Sequence, residues 1–167
     1  MYQHYMVVHI SMKNARTGKT LVADARRAVE SCMGLNVRLA ARRITRFLEE
    51  RMVAADLSIA QFGLMTHIAA GADDTIGALA ERTGLDQSTL SRSLRSLERA
   101  GLVEIAIVES DLRRRAVWLT EQGARKLEAA MPVWRSAHQA LARLVRPADV
   151  KHLATTTEAL DEQRSGA

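Results

Sequence analysis

The sequence predicts a mainly α-helical fold that carries one small β-hairpin. Three observations lead there. Aromatic residues are only 4% of the 167-residue chain while hydrophobic residues reach 47%, so the core must be built from Leu, Ala, Val, Ile and Met. Two prolines in the whole chain leave room for long, uninterrupted helices. Residues 102–120 break the helical pattern with two short, β-branched runs around a polar segment. The length points to one domain with an added dimerisation element.

Taken in order, residues 1 to about 25 have mixed polarity and no sustained period, and are expected to form a poorly ordered leader. From Val29 to Ala55, Leu35, Leu39, Phe47, Leu48 and Met52 recur at helical spacing, with arginines around the rest of the turn. Ser58 followed by Gln61 reads as a capping box that opens "LSIAQFGLMTHIA", whose Ile59, Phe62 and Met65 line one face. Thr75 caps a short helix, "IGALAERTG", that Gly84 closes. Asp86 then caps "QSTLSRSLRSLERA", and Gly101 stops it. "LVEIAIV" and "RAVWLT" are strands separated by "ESDLRR", a hairpin with a basic tip. Thr120 caps "EQGARKLEAAMPVWRSAHQALARLV", inside which Pro132 predicts a kink or a short break. Pro147 stands in the favoured first turn of a last helix.

The segment after Asp86 is unusual, because serine competes for backbone hydrogen bonds and is a poor helix interior residue. At about 100° per residue, Leu90, Leu94 and Leu97 fall within an arc of about 60°. Ser88, Arg92, Arg95 and Arg99 fall together on the opposite side, with Thr89 and Ser91 on its flanks. One face is therefore a core stripe and the other a row of short hydroxyls and long cations. Short side chains at 88 and 91 let a helix approach the floor of a major groove, where arginine can pair two acceptors of guanine or clamp a phosphate.

A short helix, a tight turn at Gly84 and a second helix with this polar face make a helix-turn-helix. The hairpin with Arg113, Arg114 and Arg115 adds a wing, whose arginines suit the enhanced negative potential of a minor groove. The net charge is +5, but its excess lies elsewhere. Residues 13–51 hold ten Lys/Arg against four Asp/Glu, whereas residues 75–120 hold seven against six. Anion binding by the serine-rich helix thus depends on geometry rather than bulk charge.

Five stretches resemble the multiple-antibiotic-resistance regulators, the MarR family: "RLAARRITRFLEERM", "LSIAQFGLM", "IGALAERTGLDQSTLSRSLRSLERAGLVE", "DLRRRAVWLTEQG" and the C-terminal helices. The resemblance runs from about Cys32 to Leu160. It implies a winged-helix homodimer that binds double-stranded DNA, with residues 57–123 as the DNA-binding domain and residues 26–56 and 124–163 as interlocking dimerisation helices. By the matched pattern Ser88, Thr89, Ser91 and Arg92 contact the groove and phosphates, Arg113 is the wing arginine, and Asp111 braces the wing. Arg95, Arg99 and Arg114 are added on geometry and charge.

The resemblance also implies a small anionic aromatic effector, held between the first long helix and "LSIAQFGLMTHI". Arg42 or Arg43 is then expected to meet its carboxylate, with His67 beside it. Some relatives sense peroxides through a cysteine near the start of the first long helix, the neighbourhood of Cys32. The chain departs from the pattern in "IAIV", where the strand usually turns basic, and in Trp118, where a polar outward residue is expected.

Other chemistry finds no support in the sequence. The five histidines lack metal-ligand spacing, and there is no Gly-rich phosphate loop or nucleophile elbow, so neither a cofactor nor an enzyme is expected. One cysteine, no signal-peptide pattern and no run of about 18 apolar residues lead to the expectation of a cytoplasmic, membrane-free protein. The expected function is that of a sequence-specific transcriptional regulator, a repressor relieved by a small ligand and acting as a homodimer on a pseudo-palindromic operator; the alternatives are a peroxide-sensing regulator using Cys32 and a winged-helix module that docks protein.

Overall fold

The computed structural model describes residues 16–71, 75–108 and 111–160; for residues 16–19, 108 and 111–114 it describes the backbone alone. The chain divides after Ile44 into two units.

Helix α1 spans Arg16–Ser31, and α2 spans Met33–Met52, starting in the first unit and ending in the second. Residues 16–25, expected from the sequence to belong to a poorly ordered leader, are therefore helical; residues 1–15 lie outside the described residues. Leu21, Val22, Ala25 and Val29 share one helical face, a stripe diluted in the sequence by Asp24, Arg26 and Arg27. The single expected helix from Val29 onward is interrupted at Cys32. There the Asn36 side-chain amide donates to the carbonyls of Glu30 (3.0 Å) and Cys32 (3.1 Å), and Ser31 Oγ donates to Arg27 O at 2.7 Å. Side chains of this kind offer the backbone an alternative to its own ladder.

In the second unit a 3₁₀ turn, Val53–Ala55, leads to α3, Ile59–Ala70. The capping box forms as expected: Gln61 N donates to Ser58 Oγ at 3.1 Å, and Ser58 N donates to Gln61 Oε1 at 2.9 Å. Ile59 N, a further free amide of that first turn, donates to Glu49 Oε1 of α2 at 3.1 Å. Helix α4 is Ile76–Thr83 and α5 is Gln87–Arg99; strands β1, Val103–Val108, and β2, Asp111–Leu119, form an antiparallel pair. Helix α6, Glu121–Ala142, and α7, Pro147–Thr156, follow the hairpin.

Apolar side chains from α2 to α6 and both strands meet in one core: Met52, Phe62, Met65, Leu79, Leu90, Leu94, Leu97, Val103, Val117 and Leu127 are all buried. No break occurs at Pro132, and α6 is continuous across it. Pro132 and Glu128 are both exposed, so the carbonyl that proline leaves without a donor can be served by water.

The hairpin is longer than expected, because β2 starts at Asp111 rather than Arg115. Its register runs from Val103↔Leu119 to Ile107↔Arg115 and then jumps to Val108↔Asp111, so among the described residues none is paired opposite Leu112, Arg113 and Arg114. On its other side β2 forms a bridge, Thr75↔Ala116, which ties the start of α4 to the wing.

Candidate nucleic-acid interface

Helix α5 is held by its leucines and offers its other face outward. Leu90, Leu94 and Leu97 are 0%, 1% and 0% exposed, and each such burial contributes about 2 kcal/mol. Ser88, Arg92, Arg95 and Arg99 are exposed, while Thr89 and Ser91 are half-buried on the flanks. Ser93 and Ser96 instead face α3, where they line a groove of about 390 Å³ with Ser58 and Gln61. Only some of the serines therefore belong to the outward face.

The entry to α5 is set by the helix-turn-helix corner. Gly84 ends α4 in the left-handed region, φ 62°, where a side chain would be strained, and its N–H donates to the carbonyls of Ala80 and Glu81. Asp86 follows as N-cap. Its Oδ1 accepts from Thr89 N at 2.9 Å and from Ser88 Oγ at 2.7 Å, and its Oδ2 accepts from Thr89 Oγ1 at 2.7 Å. The Ser88 hydroxyl, then the Thr89 hydroxyl and Thr89 N–H, hold the carboxyl well below the usual carboxylate range.

Arg92 lies along the same turn, with Nε donating to Ser88 O at 3.3 Å and Nη2 donating to Thr89 Oγ1 at 3.4 Å. Those two bonds leave most of the guanidinium fork open. Among the described residues, none of Arg92, Arg95 and Arg99 forms an ion pair. The arrangement can meet acceptors on bases or phosphates without first displacing a carboxylate partner among the described residues.

The wing is placed by its root. Thr120 N donates to Leu102 O at 3.1 Å and Thr120 Oγ1 donates to Gly101 O at 2.6 Å, clipping the two ends of the hairpin together. The same Thr120 Oγ accepts from Gly123 N at 3.0 Å and caps α6. Asp111, Arg113 and Arg114 lie in β2, but their side chains fall outside the described residues. Arg115 and Trp118 are exposed, Trp118 opposite Glu104 on β1.

A second feature is an open cleft of about 400 Å³ between α3 and α6, lined by Leu48, Phe62, Thr66, His67, Trp134 and His138 among others. The Phe62 and Trp134 rings stack with centroids 5.9 Å apart. His138 lies 4.3 Å from Trp134, and its Nδ1–H donates to Trp134 O at 3.2 Å. Of the residues expected around an effector, His67 lines this cleft, while Arg42 and Arg43 are exposed on the α2 segment of the first unit. Trp134 and His138 escaped the sequence reading, although their i,i+4 spacing places them on one helical face. Cys32 is exposed at the interruption between α1 and α2.

Comparison with known proteins follows the same outline. A family model described as the MarR family matches residues 55–115, a window that holds both helices of the corner and most of the hairpin. The transcriptional regulator HosA of Escherichia coli O127:H6 is 36% identical over 84 residues, 50% of this chain and 62% of the relative. The chain thus matches less than two thirds of that curated relative's length. The M. tuberculosis transcriptional regulator MosR, solved in complex with DNA, has a TM-score of 0.73 at 27% identity over 80% of this chain and 99% of that one. A cysteine-to-serine mutant of E. coli MarR, solved with operator DNA, has a TM-score of 0.68 at 25% identity over 80% and 96% of the two chains.

Proposed function

We propose that the chain is a MarR-family, sequence-specific, DNA-binding transcriptional regulator, a reading supported by the family model over residues 55–115 and by the likeness to MosR and MarR. It acts as a homodimer on a pseudo-palindromic operator in the cytoplasm, as a repressor relieved by a small ligand. One observation carries the DNA-binding reading. Helix α5 exposes Ser88, Arg92, Arg95 and Arg99 opposite three buried leucines, and no carboxylate pairs with those arginines among the described residues. The DNA in the MosR and MarR structures belongs to those proteins, and lends support by likeness.

The homodimer reading rests on the first unit. Every residue from 20 to 43 is exposed, although Leu21, Val22, Val29, Met33, Leu35 and Leu39 are among them. Isolated helices are marginal in water, and helices that expose this many large apolar side chains call for a partner. The effector reading rests on the Phe62–Trp134 cleft, whose aromatic wall suits a planar aromatic compound, with His67 among its lining residues.

The proposal is tested by footprinting the purified chain on its own upstream intergenic DNA. Two inverted protected half-sites with centres about 10 bp apart are expected, because a two-fold dimer presents its recognition helices one turn apart. Protection of a single isolated half-site would contradict the dimer.

A further inference from the structure

We propose that Asp86 sets the hydrogen-bonding sense of the DNA-reading surface, turning the Ser88 and Thr89 hydroxyls into acceptors that select amino-bearing bases on one strand. The inference rests on the DNA-binding reading above and adds to it a base class at particular operator positions.

A hydroxyl has one proton to donate and two lone pairs with which to accept. Both protons of this pair are engaged internally: Ser88 Oγ donates to Asp86 Oδ1 and Thr89 Oγ1 donates to Asp86 Oδ2, each at 2.7 Å. Thr89 Oγ1 already accepts from Arg92 Nη2 at 3.4 Å, which leaves it one lone pair, whereas Ser88 Oγ keeps two. Towards a ligand the two oxygens can therefore only accept. Phosphate oxygens also only accept, so neither hydroxyl can serve a phosphate without giving up Asp86. The ionised carboxylate beside them makes a close phosphate still less favourable, and its depressed pKa keeps it ionised across the neutral range.

What remains as a partner is a donor. In the major groove each base pair has one exocyclic amino group, N6 of adenine or N4 of cytosine, while guanine and thymine present O6 and O4. An acceptor at a fixed place on the helix consequently distinguishes A or C from G or T on a given strand. Asp86 itself accepts three hydrogen bonds and has little capacity left for a base. Its role is to position, acting through the two hydroxyls.

The experiment selects bound sequences from a randomised duplex pool with the full-length wild type, Asp86→Asn and Ser88→Ala, and confirms folding of each by thermal melting. Asparagine keeps N-cap competence. Its amide NH₂, however, donates where the carboxylate accepted, so one hydroxyl proton is released outward. The wild type is expected to enrich A or C over G or T at the positions under the first turn of α5 by roughly fivefold, the worth of one hydrogen bond. Asp86→Asn should weaken or reverse that preference towards G or T, with the rest of the half-site and the salt dependence unchanged. Ser88→Ala should flatten one position. Enrichment of G or T there by the wild type, or an identical preference in Asp86→Asn, overturns this inference and leaves the regulator standing. A wild type that enriches no sequence overturns the regulator reading and this inference with it.

Discussion

Replacing Gly123 by alanine pits helix propensity against a tertiary contact. On propensity alone the change stabilises α6 by about 1 kcal/mol. In the fold, a Cβ at Gly123 would lie 1.9 Å from the Leu102 carbonyl oxygen and 2.8 Å from its carbon. An ordinary carbon–oxygen contact is roughly 3.3 Å, so one backbone must retreat by about 1.4 Å. Neither is free to do so. The Leu102 carbonyl accepts from Thr120 N, and Gly123 N donates to the Thr120 hydroxyl that caps the helix. Losing the hydrogen bond and the cap costs about 1 kcal/mol each, and residual overpacking adds about 1–3 kcal/mol. A net destabilisation of about 2–4 kcal/mol follows, or a fall in Tm of roughly 10 °C for a chain of this size. Thermal unfolding followed by circular dichroism at fixed protein concentration measures it. An unchanged or higher Tm would show that the contact between α6 and the hairpin root is not what holds the wing in place.

Two further outcomes concern the DNA face and the assembly. Arg92→Ala should weaken operator binding by about 1–3 kcal/mol and relax selection at one position, whereas Arg95→Ala or Arg99→Ala, as phosphate contacts, should lower affinity on all sequences and reduce the salt slope by about 1. Anisotropy titrations on operator and scrambled duplexes separate the two behaviours, and unaltered operator affinity in Arg92→Ala would place the reading face elsewhere. Leu21→Glu combined with Val29→Glu, both on the exposed face of α1, should convert the proposed dimer to a monomer by sedimentation velocity. A variant that stays dimeric would remove α1 from the interface.

What the sequence disclosed was largely local. Ser58, Thr75, Asp86 and Thr120 each cap the helix expected of them, because a cap is decided within four residues. The leucine stripe of α5 was equally legible, since a strict helical period survives any surroundings. The start of α1 was not legible, because its apolar face is narrow and set among charges. Nor was the length of β2, whose first residues precede a register jump that has no signature in hydrophobic alternation. The cleft brings Phe62 to Trp134 across 72 positions of chain, an encounter that only tertiary packing decides. Asp86 was legible as a cap but not as the acceptor of both hydroxyl protons, which depends on the rotamers of Ser88 and Thr89.

The most direct test of the account is a fluorescence anisotropy titration of the purified chain against its own upstream intergenic DNA and a scrambled duplex at several salt concentrations. The account predicts specific binding at least about 10³-fold tighter than binding to the scrambled duplex, with affinity falling steeply as salt rises. Equal, weak and salt-insensitive binding to both duplexes would contradict it, and would point to a winged helix whose partner is protein.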